Sequence, residues 1–367
     1  MRLLLVRPDH LGDVLLALPA AVSLRRALPT AHISFLVSSG LEEIPARCPE
    51  VEEVRSLPFP PPDAPPSPPG WSHVVAGAAP DLRFDAAVVL RPSDPWSGAL
   101  LASAGVPIRI GYDQPASVPF LTDVVPEPDG VHAVTLAVRL AQATAARLGA
   151  PIPREPSGPR IVPSHDDVRE VERLAAGLLW GGGRPIVLHP GSGWPLKNWP
   201  PERWAAVARR VASLHGGPCL VAGADSERAI VERVACLAGP HAVPVVGMRL
   251  GALAALHQRA CLVVATDSGA AHLAAAVGTP VVALFGPGDP ALARPWCPPA
   301  RARLVRIDLP CSPCGVLHEP PCGASVMSAC ITGIGVEEVL RAISELSATQ
   351  GEDGCRSSAS VRAPGGG

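Results

Sequence analysis

Asp267-Ser268-Gly269-Ala270-Ala271-His272 is the stretch of this 367-residue chain whose residue types and spacing point most directly to chemistry. An apolar run, Leu262 to Ala265, leads into it, and an alanine-rich helical stretch, Gly278-Thr279-Pro280 and a second apolar run, Val281 to Phe285, follow. Both runs are apolar at every position, which predicts parallel strands covered on both faces with a helix between them. In such sheets ligands bind beyond the carboxyl ends of the strands, where Asp267 falls. Ser268 can cap the helix, Gly269 lets backbone approach a ligand, and the free N–H groups of the first turn attract an anion. The expectation is a phosphate-binding helix end with a carboxylate and the His272 imidazole beside it. The plainer alternative is an ordinary capped helix with a surface His.

Two further strand-to-helix turns in the second half carry polar groups, His189 to Lys197 and Gly223 to Glu227. In a parallel sheet these turns share one edge and can converge on one ligand. Gly191, Ser192 and Gly193 offer backbone N–H groups and Lys197 a positive charge, a set that suits a diphosphate. Asp225 or Glu227 can accept hydrogen bonds from ribose hydroxyls. Of the 31 basic residues all but Lys197 are Arg, so the one Lys marks a place that needs a compact ammonium on a flexible stem. Asn198 is likewise the only Asn, and chance survival of rare residues is the competing explanation. No G-x-G-x-x-G fingerprint opens the chain and no P-loop occurs, which turns the expectation from a dinucleotide cofactor to a nucleotide-diphosphate-sugar. In the first half, Asp13 stands behind Gly12 at the mouth of a strand-to-helix turn. There a carboxylate can serve as general base when a domain cleft closes, or it can merely cap the first helix.

These turns need a scaffold of alternating strands and helices. Strands are predicted over Arg2–Val6, His32–Val37, Ala86–Leu90 and Ile108–Gly111, with helices over Val14–Leu28, Trp96–Ala104 and Val131–Leu148. Pro19 implies a kink in the first helix or a start nearer the proline. The second half repeats the alternation: helices at Asp166–Leu179, Pro201–His215, Ser226–Ala238, Leu250–Ala260 and Val336–Leu346, strands at Ile186–Leu188, Cys219–Ala222 and Val243–Val246, besides the unit already described. Proline excludes regular structure from Pro58 to Gly70, a surface loop, and marks residues 149–164 as a linker. The fold class is α/β: two doubly wound parallel-sheet, Rossmann-like domains over 1–155 and 156–346 facing each other across a cleft. A Gly/Ser-rich, disordered tail follows over 347–367.

The net charge of −2 and the lack of a basic run give no reason to expect nucleic acid as a partner. The N-terminal apolar stretch is too short for a signal peptide, and no segment approaches the roughly 20 apolar residues of a membrane span. A cytoplasmic protein is expected, with contact at the inner membrane face left open. The ten Cys are not spaced like a secreted disulfide scaffold. Cys311, Cys314, Cys322 and Cys330, in the pattern C-x2-C-x7-C-x7-C, are candidate ligands of a structural zinc, against the reading that they are free or redox-active thiols.

The segments LLVRPDHLGDVLLALPAAVSLRRALP, VLHPGSGWPLKNWPPERWAAVARRV and ATDSGAAHLAAAVGTPVVALFGP resemble the signature regions of the heptosyltransferases, glycosyltransferase family 9. The resemblance runs from Met1 to about Leu346. It implies a GT-B fold, with the acceptor held mainly by the first domain and the nucleotide-sugar by the second. It places the catalytic base on Asp13, the phosphate-binding lysine on Lys197, the sugar-binding aspartate on Asp267 and the diphosphate-contacting turn on Ser268, Gly269 and His272. The ribose-binding acid falls on Asp225 with Glu227 a close rival, and Ser192 lies near the phosphates. The proline loop and the cysteine-rich stretch depart from the family pattern.

The implied reaction is an inverting single displacement. It carries a heptose or related sugar from an ADP- or other nucleotide-sugar to a glycan or lipid-linked acceptor, in lipopolysaccharide or other envelope polysaccharide synthesis. Lys197 and the helix end replace a divalent ion, so no cofactor is required, and a monomer suffices. Two other classes compete: a nucleotide-sugar epimerase of GT-B fold, which needs further acid and base residues around the sugar, and a non-catalytic sugar-nucleotide-binding protein, against which an intact Asp13 argues.

Overall fold

Uninterrupted apolar runs leave a strand no solvent face, and here they form the centres of two parallel sheets. The computed structural model describes residues 1–60, 70–150, 157–177, 184–215 and 219–349. Residues 61–69 of the proline loop, 151–156 of the linker, 178–179 at the end of a predicted helix and 350–367 of the tail lie outside the described residues.

The chain divides into two compact units, Met1–Val162 with Pro290–Trp296, and Pro163–Asp289 with the rest. The first holds strands β1 (Arg2–Val6), β2 (His32–Ser38), β3 (Glu53–Leu57), β4 (Ala86–Val89), β5 (Ile108–Tyr112) and β6 (Asp123–Val125) in the order β3-β2-β1-β4-β5-β6. All pairs are parallel, with Leu3 opposite Ile33 and Leu4 opposite Ala87. Helices α1 (Leu11–Ala27), α2 (Trp71–Ala78), α3 (Pro95–Ser103) and α4 (Ala133–Arg147) belong to the same unit. Leu3, Leu4, Leu5, Ile33 and Phe35 are fully buried at its centre. Helix α1 begins at Leu11 and runs through Pro19, not from near it. Proline removes one backbone hydrogen bond, and the burial of Val14 to Leu24 outweighs that loss.

The second unit opens with α5 (His165–Gly177) and contains β7 (Ile186–His189), α6 (Pro201–His215), β8 (Cys219–Gly223), α7 (Arg228–Ala238), β9 (Ala242–Val246), α8 (Leu250–Arg259), β10 (Leu262–Thr266), α9 (Gly269–Ala276) and β11 (Val281–Leu284). After β11 the chain joins the first unit over Pro290–Trp296, which begins as the short helix α10 (Pro290–Ala293). Trp296 packs against His132 there in a tilted ring pair with centroids 4.7 Å apart. It then returns as β12 (Ala302–Val305), α11 (Ala329–Thr332) and α12 (Val336–Thr349). The sheet order is β12-β11-β10-β7-β8-β9, again all parallel, with Ala265 opposite His189. Each unit is therefore a doubly wound parallel α/β sheet, as expected. No helix among the described residues is long and apolar enough to cross a membrane.

Candidate functional site

In the second sheet the chain builds outward from β7 to β8 and β9, then restarts on the other side of β7 with β10. That reversal leaves a crevice at the carboxyl ends of β7 and β10, the usual ligand position in an open α/β sheet. The turns on its two banks are tied together, since Thr266 Oγ1 donates to the Gly191 carbonyl at 3.1 Å. Across the same crevice Lys197 Nζ lies 2.7 Å from Asp267 Oδ2, with side chains only 17% and 8% exposed. The loop that carries Lys197 is held from inside and outside. Ser192 Oγ lies 2.6 Å from the Trp194 carbonyl and 2.9 Å from Asn198 Oδ1. Ser328 Oγ donates to the Leu196 carbonyl at 2.9 Å, and the Trp194 and His318 rings meet edge to face.

Two glycines allow these approaches. A Cβ on Gly288 would stand 2.3 Å from Asp267 Oδ2, and one on Gly191 would stand 2.4 Å from Glu227 Oε1. Either is closer than real Cβ contacts come, so each carboxylate occupies space that only glycine leaves. Glu227 Oε2 also accepts from the Ala224 N–H at 2.9 Å, so Glu227 is the acid set against the β7 turn. Asp225 points elsewhere: it is 74% exposed and pairs with Arg228 at 2.8 Å.

Ser268, Gly269 and His272 stand where the sequence predicts, at and just inside the start of α9. One expectation is corrected. Ser268 holds the N-cap position, yet its hydroxyl makes no capping bond to the helix. Its Oγ is instead buried and has no hydrogen-bond partner among the described residues. A buried hydroxyl without a partner is costly unless something binding there supplies one. His272 is 5% exposed, so it is not a surface His. Gly193 has open space around it.

The four cysteines are not gathered into a ligand set. Among the described residues no three His, Cys, Asp or Glu side chains stand where they could hold a metal ion. Cys330 is buried with Sγ 3.1 Å from Ser328 Oγ, and Cys322 is exposed. Cys314 Sγ lies 3.5 Å from the Val316 N–H. The seven-residue spacers carry Cys322 and Cys330 into separate environments, one on the surface and one in the core.

The first sheet reverses order between β1 and β4, and its ion pairs sit at that crevice too. Arg7 leaves β1 and donates from Nη1 to the Leu90 carbonyl and from Nη2 to Asp13 Oδ1, both at 3.0 Å. Its Nε lies 2.9 Å from Asp9 Oδ2, and Asp9 Oδ1 lies 3.3 Å from Arg91 Nε. Arg91 rests 5.2 Å over the Trp96 ring. Asp13 does not cap α1, because His10 holds the N-cap position. The His10 Nδ1 lies 3.7 Å from Asp13 Oδ2. Burial pushes the Asp13 carboxyl up, but the Arg7 guanidinium and His10 outweigh it and hold Asp13 below the usual carboxylate range. Burial also opposes the Arg7 charge, and Asp9 and Asp13 more than offset it.

Arg7, Asp9, His10, Arg91 and Gly288 were not among the residues singled out from sequence. Arg7 and Asp9 had a readable signal, opposite charges two apart directly after an apolar strand. Arg91 and Gly288 had only their position at the end of β4 and β11.

Residues 81–320 match the family described as Glycosyltransferase family 9 (heptosyltransferase). The chain is 30% identical over 340 residues to lipopolysaccharide heptosyltransferase 1 of Pseudomonas aeruginosa, covering 86% of each chain. Among solved structures it is similar to the family 9 glycosyl transferase of Veillonella parvula, with a TM-score of 0.77, 22% identity and coverage of 95% of this chain and 97% of that one. It is also similar to the ADP-heptose lps heptosyltransferase II of E. coli, with a TM-score of 0.75, 21% identity and coverage of 95% and 99%. These two likenesses establish the fold, and the first two matches establish the lineage: the chain belongs to glycosyltransferase family 9.

Proposed function

We propose that this protein is an inverting heptosyltransferase that moves heptose from ADP-heptose to a hydroxyl of a lipopolysaccharide-type acceptor. The observation that carries the reading is the Lys197–Asp267 pair at the β7/β10 crevice, next to the Ser268 hydroxyl, which has no hydrogen-bond partner among the described residues. A cation, an unsatisfied hydroxyl and the first N–H groups of α9 suit the diphosphate of a nucleotide-sugar. The named relatives, a lipopolysaccharide heptosyltransferase and an ADP-heptose lps heptosyltransferase, supply the sugar, nucleotide and acceptor class.

In this reading the second domain, 156–346, binds the donor. Gly191, Ser192 and Gly193 face the phosphates, Glu227 takes the ribose hydroxyls in preference to Asp225, and Asp267 receives a hydroxyl of the sugar. Ser268, Gly269, His272 and Lys197 surround the leaving diphosphate. The first domain, 1–155, holds the acceptor, and Asp13 draws the proton from its hydroxyl as that oxygen attacks the anomeric carbon. The C1–O bond breaks with its electron pair leaving on ADP, whose charge Lys197 and the α9 N-terminus stabilise without a divalent ion. The protein would act as a monomer at the inner face of the cytoplasmic membrane, where a lipid-linked acceptor is presented.

The test is ADP release from ADP-heptose in the presence of heptose-free lipopolysaccharide, with UDP-, GDP- and dTDP-sugars as rival donors. Asp13→Asn is expected to lose about 10²- to 10⁴-fold in rate, the usual contribution of a general base. Parent-like release by Asp13→Asn, or faster release from another nucleotide-sugar, overturns the corresponding part of the reading.

A further inference from the structure

A lysine stem is long and flexible, so the strength of its contact with a diphosphate depends on a backbone that does not drift. Lys197 ends a single 3-10 turn, Pro195–Lys197. The loop's own hydrogen bonds, from Ser192 to Trp194 and Asn198 and from the Lys197 N–H to the Trp194 carbonyl, shape it without fixing where it stands in the unit.

The fixed point comes from far along the chain. Ser328 is the N-cap residue of α11, a position where a serine hydroxyl ordinarily accepts from the first turn of its own helix. Its side chain makes no such bond. Its Oγ donates instead to the Leu196 carbonyl at 2.9 Å, and its backbone N–H donates to the same oxygen at 3.2 Å. A hydroxyl has one proton, here given to Leu196, so the Cys330 thiol, with Sγ 3.1 Å away, is the donor to Ser328 Oγ. Ser328 and Cys330 are 1% and 5% exposed, so water does not compete for either bond.

The same segment grips the other bank of the crevice. A Cβ on Gly286, in the turn after β11, would stand 3.0 Å from Ile331 Cβ and 3.2 Å from Ser328 Oγ. The Gly286 carbonyl accepts from Ser312 Oγ at 3.3 Å and the Pro287 carbonyl from the Gly315 N–H at 2.8 Å. Gly288, next in that turn, is the glycine that leaves room for Asp267. Residues 312–330 therefore touch both the loop that carries Lys197 and the turn packed on Asp267.

We propose that Ser328, oriented by Cys330, is a positioning residue for Lys197, holding the Leu196 carbonyl, and with it the ammonium, where the diphosphate of the donor binds. This rests on the donor-site reading above and gives the cysteine-rich segment a part in it. Ser328→Ala leaves the Leu196 carbonyl only the longer backbone bond and the Cys330 thiol no acceptor.

The experiment is a double-mutant cycle, read by titration calorimetry with ADP and with adenosine, on the parent, Ser328→Ala, Lys197→Ala and the double variant. Ser328→Ala is expected to weaken ADP binding about three- to tenfold, the worth of one hydrogen bond, and to leave adenosine, which brings no phosphate, within about twofold. In the Lys197→Ala background the same substitution is expected to change ADP binding by less than about twofold, because the group it positions is gone. Cys330→Ala is expected to show a smaller loss of the same kind, and Cys330→Ser, which keeps a donor, to restore it. That pair, taken through the same cycle, decides the question if Ser328→Ala does not fold. Parent-like ADP binding by Ser328→Ala, equal weakening with and without Lys197, or equal loss of ADP and adenosine overturns the positioning role while Lys197→Ala still binds ADP weakly. Parent-like ADP binding by Lys197→Ala overturns the donor-site reading itself, and the positioning role with it.

Discussion

Lys197 and Asp267 neutralise each other at 2.7 Å before any ligand arrives, and that pairing has an opposite effect on two ligands. ADP brings only negative charge, so Asp267 competes with its phosphates for Lys197 and repels them. A nucleotide-sugar brings hydroxyls as well, which Asp267 can accept. Asp267→Asn is therefore expected to tighten ADP binding by at least roughly 1 kcal/mol, about fivefold, which is what a like charge at about 4 Å costs even in bulk water. The same variant is expected to lower kcat/KM with ADP-heptose by tenfold or more. Titration calorimetry with ADP checks the first effect, and unchanged or weaker ADP binding would remove the diphosphate from this pair. Lys197 was legible because a chain that uses Arg elsewhere keeps one Lys there. Which of Asp225 and Glu227 lies against the β7 turn was not, because two acids two residues apart differ only in which way the 3-10 turn at Asp225–Glu227 aims them. The cysteine spacing left zinc and free thiols both open for a related reason: spacing is linear, and metal ligation depends on where the spacers fold.

Strand β7 and helix α8 meet through two buried imidazoles, with His189 Nε2 2.8 Å from His257 Nε2. His257 Nδ1 meets no partner among the described residues, which suits a bare nitrogen and makes His257 the donor through Nε2. Burial lowers His189 to about 4, and burial with the neighbouring ring lowers His257 well below its ordinary value. Both rings are thus neutral in the fold, while the unfolded chain takes up protons as pH drops through about 6.5. Stability from this pair is present above pH 6.5 and is lost as pH falls toward 4, on the order of 3 kcal/mol for His189 alone. The transition temperature is expected to fall by several degrees between pH 7 and 5, and His257→Leu is expected to flatten that slope. An identical slope in the variant would mean that the pair does not titrate on unfolding. Central elements such as β1, β7, β10 and β11 were legible because burial on both faces forces an unbroken apolar run. Of the four edge strands, β9 was legible from its valine-rich run, whereas β3, β6 and β12 were not, because Glu53–Leu57, Asp123–Val125 and Ala302–Val305 are short and carry charged residues that an edge position tolerates.

Each unit carries its ion pairs at the point where its own strand order reverses, Arg7–Asp13 in one and Lys197–Asp267 in the other. The alternation of strands and helices made the two sheets readable from sequence, whereas the pairing of Arg7 with Asp13 was not, because it depends on where the strand order reverses. The return of Pro290–Trp296 to the first unit was not readable, since Ala293 and Trp296 pack on Leu16, Val134 and Val138, far away in the chain. If the donor nucleotide belongs to the second unit alone, its binding free energy should be felt there first. At 100 times its Kd, ADP stabilises the state that binds it by about 2.7 kcal/mol, enough to slow amide exchange roughly 100-fold wherever opening releases the ligand. Hydrogen exchange with ADP is expected to slow at residues 190–198 and 267–272 and to stay unchanged at residues 7–13. Slowing at 7–13 without slowing at 190–198 would place the nucleotide in the first unit and reverse the assignment of donor and acceptor.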